Sequence, residues 1–193
     1  MKKLILASTS PRRVELMQNI GLVFETISPD YDENLIGLKF SYEAIENIAL
    51  NKALSIKNSI SHSALIISAD TVVVMDDEIL GKPKDRETAI NMLKKLNDTT
   101  HKVVTSIAII DIETGRKAIE STTSEVTFNN LNEKDIYEYI DNFKPYDKAG
   151  SYGIQELPQI FVKNINGEFD NIMGLPTQTL IKMIKKINNQ TNL

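Results

Sequence analysis

The sequence predicts an α/β fold: a mixed central sheet flanked by helices, in two lobes with a cleft between them. Two observations carry the class. Apolar β-rich runs and segments with helical apolar spacing are mixed throughout the 193 residues rather than segregated. Apolar residues make up 41% and charged residues 25%, so the chain can bury a sizeable core and is not disordered. No repeat or low-complexity linker divides it, so residues 1–193 read as one domain on the scale of roughly 100–200 residues per domain. The polar residues 188–193 read as a frayed tail.

In chain order, residues 3–7 read as a short buried strand. Ser10 is placed as an N-cap with Pro11 at the first helical position, and Gly21 ends that helix. Residues 23–28 alternate as a second strand. Ser41 caps a long helix to about Lys57, with Ala44, Ile48 and Ala49 on one face. Residues 64–68 and 72–75 read as strands interrupted by Ala69-Asp70-Thr71, and Asp76-Asp77 as a turn. Asp85 caps a helix carrying Ala89, Met92, Leu93 and Leu96. Residues 103–111 and 117–129 form two long strands joined through Glu113-Thr114-Gly115. Asn132 caps a helix to about Asp141, followed by a loop-rich segment, 143–155. Asn166-Gly167 between two apolar runs predicts a hairpin. Pro176 opens a last helix with Leu180, Ile184 and Ile187 in register.

Composition excludes several chemistries. The formal net charge of −4 argues against a whole-surface nucleic-acid footprint. With no cysteine there are no disulfides, thiolate nucleophiles or iron–sulfur ligands, and two histidines are too few for a three-His metal site. No apolar run approaches the roughly 18 residues of a membrane span, and the stretch after Lys2-Lys3 is too short for a secretory signal. The expectation is a soluble cytoplasmic protein.

Five segments can carry chemistry. Ser8-Thr9-Ser10-Pro11-Arg12-Arg13 lies where a strand meets a helix N-terminus, so amides, hydroxyls and guanidiniums can cradle phosphate. The same residues also read as a cap with two solvated arginines. Asp70-Thr71 follows an apolar run and is placed at a strand end, where α/β proteins commonly carry site residues; a turn aspartate is the plainer reading. A hairpin would return Lys82, in Gly81-Lys82-Pro83, toward Asp70. Asp30, Asp32 and Glu33 offer the oxygens that Mg²⁺ or Mn²⁺ prefers, although acidic loops are ordinarily just solvated. Lys52 lies in a helical segment where a surface lysine is the ordinary explanation. Asp147–Gln155 carries two glycines three apart, which permit close backbone approach. His101 receives no catalytic role, and Met17, Met75, Met92, Met173 and Met183 read as core fillers. Together Arg12, Arg13, Lys52, Lys82 and the carboxylates suit a phosphate-rich anion with a metal ion.

These pieces resemble the Maf family of nucleoside triphosphate pyrophosphatases, related in fold to inosine triphosphate pyrophosphatase. The resemblance covers about residues 2–187. It rests on Leu6-Ala7-Ser8-Thr9-Ser10-Pro11-Arg12-Arg13, Ala49-Leu50-Asn51-Lys52-Ala53, Ala69-Asp70-Thr71-Val72-Val73, Gly81-Lys82-Pro83, the segment from Asp147 to Gln155, and Gly174-Leu175-Pro176. Each is modest alone; six in order at family-like spacing are specific.

The resemblance implies hydrolysis between the α and β phosphates, with a divalent metal cation, Mg²⁺ or Mn²⁺. It assigns Asp70 as proton acceptor and Ser8, Arg13, Lys52 and Lys82 to phosphate handling. Glu33, with Asp70, is the implied metal-binding carboxylate. Arg12, Thr71 and Gln155 match the specificity positions of the branch that prefers dTTP and UTP. The branch acting on 7-methyl-GTP has tryptophan, glutamine and glutamate there. A glutamine amide both donates and accepts, as a uracil or thymine edge requires. Glu156 departs from the pattern, standing where the branch usually has glycine. A homodimer is also implied, and so is a competing class: a nucleotide-binding regulator of cell division without turnover.

Overall fold

The computed structural model describes residues 2–31 and 39–189. Its centre is a seven-stranded mixed sheet. The strands are β1 (Lys3–Ala7), β2 (Phe24–Ile27), β3 (Ala64–Met75), β4 (Glu78–Leu80), β5 (Thr100–Asp111), β6 (Lys117–Phe128) and β7 (Val162–Asn166). The order is β2-β1-β3-β5-β6-β7, with β4 paired to β3. β1 is parallel to both β2 and β3, and the other pairings are antiparallel. Ile5, Leu6 and Ala7 are fully buried because helices cover both faces of that parallel part, which is why β1 reads as an unbroken apolar run.

Helices α1 (Pro11–Asn19), α2 (Tyr42–Ser55), α3 (Arg86–Leu96), α4 (Glu133–Phe143), α5 (Phe169–Met173) and α6 (Thr177–Asn189) flank the sheet. Alternation along β3 sorts them. Leu65, Ile67 and Ala69 pack with Leu16 and Met17 of α1 and Leu180, Met183 and Ile187 of α6. Farther along the same series, Val73 packs with Leu93 and Leu96 of α3 and Ile136 and Tyr139 of α4. Ala64 and Ile66 pack with Ala53 of α2, and Val72 and Val74 with Ile45 and Ile48 of α2. Met17 and Met183 are core residues, as expected.

Three caps form as their residue types predict: Ser41 accepts from Ala44 N, Asp85 from Thr88 N and Asn132 from Asp135 N. Ser10 occupies the N-cap position of α1 but its side chain makes no cap bond. Instead the Ser8 hydroxyl accepts the Ser10 N–H at 3.1 Å.

The structure corrects three expectations. β3 is continuous across Ala69-Asp70-Thr71. Asp70 looked like an interruption because a carboxylate breaks an apolar run, yet its backbone pairs with Ser106 of β5 and its charge is matched from α2. Asn166-Gly167 does not close a hairpin: β7 ends at Asn166, but residues 169–173 form α5. The Asn171 side chain, fully buried, donates to Val103 O and Ser124 Oγ, and Gly174 ends the short helix at φ 114°. Tertiary hydrogen bonds thus override the turn signal. Finally, α6 continues through Asn189, so Asn188 and Asn189 are helical rather than frayed.

Candidate active site

A break in strand pairing makes the cleft. Along one edge of β3, β1 pairs as far as Ile67 and pairing with β4 starts only at Val73. Among the described residues no strand pairs with residues 68–72 on that edge, and Asp70 sits in the gap. Asp70 is not at the end of its own strand; it lies just past the end of its neighbour, which opens the same kind of crevice. A cleft of about 340 Å³ passes through, drawing on both faces of the sheet. Asp70 points to the α2 side and Thr71 to the α1 side, as adjacent strand residues must.

Asp70 Oδ1 accepts from Lys52 Nζ at 2.6 Å, with both side chains about one-twentieth exposed. Lys52 is thus a buried site residue, not the surface lysine its helical setting suggests. It stands in the last turn of α2, one turn beyond the Ala49 carbonyl that accepts from Ser68 Oγ. Asp70 Oδ2 is buried and has no hydrogen-bond partner among the described residues.

On the other side, Arg13 projects from the first turn of α1. Its Nε donates to Gly174 O at 2.8 Å, and its Nη atoms reach Thr71 Oγ1 at 3.1 Å and Ser8 Oγ at 3.4 Å. Thr71 Oγ1 also meets Thr105 Oγ1 at 2.9 Å, and Thr105 donates to the Asn171 carbonyl. The guanidinium fork therefore ties α1, β3 and the end of α5 together behind the N-terminus of α1.

β4 turns the chain back as expected, and Lys82 lines the cleft with an exposed side chain. Gly150 N donates to Gly81 O, so the 147–155 loop is anchored beside Lys82. Ser8, Arg12, Arg13, Lys52, Asp70, Thr71, Lys82 and Gln155 all line the one cleft. Asp30 is exposed and its neighbour Pro29 is the lining residue. Asp32 and Glu33 lie outside the described residues. Reading by residue type missed Lys148, Tyr152 and Met173 on the cleft wall. The only signal for Lys148 was its place inside a glycine-bearing segment. Among the described residues no cluster of three or more His, Asp or Glu forms a metal cage.

Beneath the loop, His101 Nε2 and the Tyr152 hydroxyl are 2.7 Å apart, and Tyr139 Oη accepts from Gly153 N at 3.1 Å. Burial lowers His101 to about 4, pushes Tyr139 up to about 12 and raises Tyr152 further. His101 and Tyr152, buried and paired with each other, support the loop from below.

The family model for Maf-like protein matches residues 3–187. This chain belongs to the Maf-like family. It is 43% identical over 185 residues to a dTTP/UTP pyrophosphatase of Clostridium botulinum (strain Alaska E43 / Type E3), covering 95% of this chain and 98% of that one. It is 42% identical over 186 residues to a dTTP/UTP pyrophosphatase of Clostridium beijerinckii, covering 96% and 99%. Among solved structures, the Maf-like chain resembles the Staphylococcus aureus Ham1 protein at TM-score 0.52 and 16% identity, over 96% of this chain and 99% of that one. It resembles a HAM1 protein from Coxiella burnetii at TM-score 0.51 and 15% identity, over 98% and 100%. At these identities the likeness is one of fold, and the fold is the mixed sheet with flanking helices that the sequence predicts.

Proposed function

We propose that this Maf-like protein is a nucleoside triphosphate pyrophosphatase that hydrolyses dTTP and UTP to the nucleoside monophosphate and pyrophosphate. The observation that carries the reading is the buried Asp70–Lys52 pair in a cleft also walled by Ser8, Arg13 and Lys82. It occurs in a chain 41–44% identical over most of its length to proteins named for that reaction.

In this reading the triphosphate lies against the N-terminus of α1, where free amides and the Ser8 hydroxyl favour an anion. Arg13 and Lys82 supply the countercharge for the phosphates and for the leaving pyrophosphate. Lys52 fixes the Asp70 carboxylate through Oδ1, leaving Oδ2 to orient the attacking water and accept its proton. The α–β anhydride bond breaks and its bridging oxygen leaves with pyrophosphate.

The donor set fits Mg²⁺ or Mn²⁺. Asp70 Oδ2 is an unpartnered buried oxygen among the described residues, and such ions take one or two carboxylates with substrate phosphates. Proton acceptor and metal ligand are alternative jobs for Asp70 Oδ2: in the second, Asp70 and Glu33 would hold the ion, which when bound draws negative charge from the phosphoryl oxygens. Arg12, Thr71 and Gln155 set the base preference, with Gln155 offering one donor and one acceptor to a pyrimidine edge. No helix among the described residues is long and apolar enough to cross a membrane. The same reading places one unit of about residues 1–193 in the cytoplasm as a homodimer, acting on free nucleotides without nucleic-acid partners.

The test is a competition among dTTP, UTP, CTP, GTP and 7-methyl-GTP at equal concentration with Mg²⁺ or Mn²⁺. dTTP and UTP are expected to exceed 7-methyl-GTP by about tenfold or more in kcat/KM, since a mismatched edge leaves buried polar groups unpaired. Preference for 7-methyl-GTP would overturn the base assignment. Binding without turnover of any nucleotide would instead support the regulator.

A further inference from the structure

Lys148 has no part in the roles assigned above. It lines the cleft, yet only 8% of it is exposed. Its ammonium lies 2.9 Å from Asp147 Oδ1 and 3.2 Å from Glu156 Oε2. The second contact is an ion pair off the line of a hydrogen bond. Asp147 Oδ2 is 3.6 Å from Arg12 Nη1. Alternating charges therefore run Arg12–Asp147–Lys148–Glu156. The chain of charges starts at one residue of the specificity trio and ends beside another, Gln155.

The loop geometry requires this path. Glu156 N donates to Gly153 O at 2.9 Å, a tight turn with Gln155 on its outer side. A Cβ on Gly153 would lie 2.9 Å from Lys148 Cε and 3.1 Å from Cδ, so the lysine stem passes over bare backbone. The same Cβ would lie 3.2 Å from Glu156 Oε2, so the glutamate folds back over the turn to meet the ammonium. Below, Tyr139 holds Gly153 N and His101 holds the Tyr152 hydroxyl. The Lys148–Glu156 pair closes the turn from the cleft side. Asp147 is the nearer, hydrogen-bonded partner, but it is adjacent in sequence and its side chain is 66% exposed, against 31% for Glu156, so only Glu156 ties Lys148 across the turn. A buried ammonium needs such a partner. A glycine at 156 would leave Lys148 with Asp147 alone among these contacts.

We propose that Lys148 and Glu156 are positioning residues that fix the turn carrying Gln155 and thereby sharpen discrimination among bases. This rests on the reading that Gln155 contacts the base. The pair touches no reacting atom, so its removal acts on selectivity and KM rather than on the chemical step.

The experiment compares Glu156→Gln, Glu156→Asp, Lys148→Met and Gln155→Ala in the full chain. It measures kcat and KM for dTTP and CTP with Mg²⁺, together with the thermal midpoint. Glu156→Gln is expected to lower the dTTP:CTP ratio of kcat/KM by about 5- to 30-fold, the scale of one misplaced hydrogen bond. The loss should fall mainly on KM for dTTP, and Glu156→Asp should restore part of the ratio. Raised salt should erode the ratio in the wild type more than in Glu156→Gln. An unchanged ratio in Glu156→Gln and Lys148→Met, with a lowered ratio in Gln155→Ala, overturns this inference and leaves the base reading standing. An unchanged ratio in Gln155→Ala overturns both. An equal fall in kcat for both nucleotides in Lys148→Met makes the lysine a phosphate ligand and also overturns the inference.

Discussion

Replacing Asp70 by Asn keeps the shape of the side chain and removes its charge, and two effects follow with separable magnitudes. The first is chemical. A carboxylate that accepts a proton from water contributes about 10²–10⁴-fold, so kcat/KM for dTTP should fall by that factor. The second is structural. Asp70 and Lys52 are 4% and 5% exposed and 2.6 Å apart. Breaking a buried pair by altering one partner costs about 3–5 kcal/mol. At about 2–4 °C per kcal/mol for a chain of this length, the melting midpoint should drop on the order of 10 °C. The near-isosteric swap is therefore not neutral for folding, and assays belong well below the variant's midpoint. Pyrophosphate release and a thermal melt should be run on Asp70→Asn, Lys52→Met and the double variant. Stability should be non-additive in the double, because both charges are then gone. Turnover should stay low. A folded Asp70→Asn enzyme with near-wild-type turnover would refute the assignment. Recovery of turnover in the double variant would reduce the role of Asp70 to structure.

Lys82→Ala should lower kcat/KM with every nucleotide while leaving the melting midpoint nearly unchanged, since the side chain is exposed at the cleft; equal activity would remove Lys82 from phosphate handling. Gln155→Glu should weaken dTTP turnover by about 5- to 100-fold, because a carboxylate accepts but cannot donate, and the dTTP rate measures it. His101 is lowered to about 4 by burial, so the unfolded chain protonates first as pH falls below about 6.5. Stability should be full above that value and decline by up to about 3 kcal/mol toward pH 4. Urea melts of wild type and His101→Gln at several pH values check this, and the same decline in the variant would contradict it.

What the sequence revealed follows the range of the forces involved. The caps at Ser41, Asp85 and Asn132 were legible because each is settled within one turn of helix. Buried β1 was legible because its apolar run needs no partner to be recognised. Continuous β3 was not, because the charge that makes Asp70 acceptable inside it comes from Lys52, on α2 and 18 residues earlier. Helix α5 was misread as a strand for a similar reason: Asn171 finds its acceptors on β5 and β6, far away in sequence. The members of the cleft were legible one by one as phosphate-friendly residue types. Their convergence depends on the gap between β1 and β4 along β3, which no local pattern announces. Lys148 was hidden because its partner Glu156 matters only once the turn at Gly153 is formed.

Cleavage between the α and β phosphates is tested most directly by the products of dTTP hydrolysis. Purified protein with dTTP and Mg²⁺ or Mn²⁺, followed by anion-exchange separation, should yield dTMP and pyrophosphate in equal amounts. dTDP with inorganic phosphate, or no product with either ion, would contradict it.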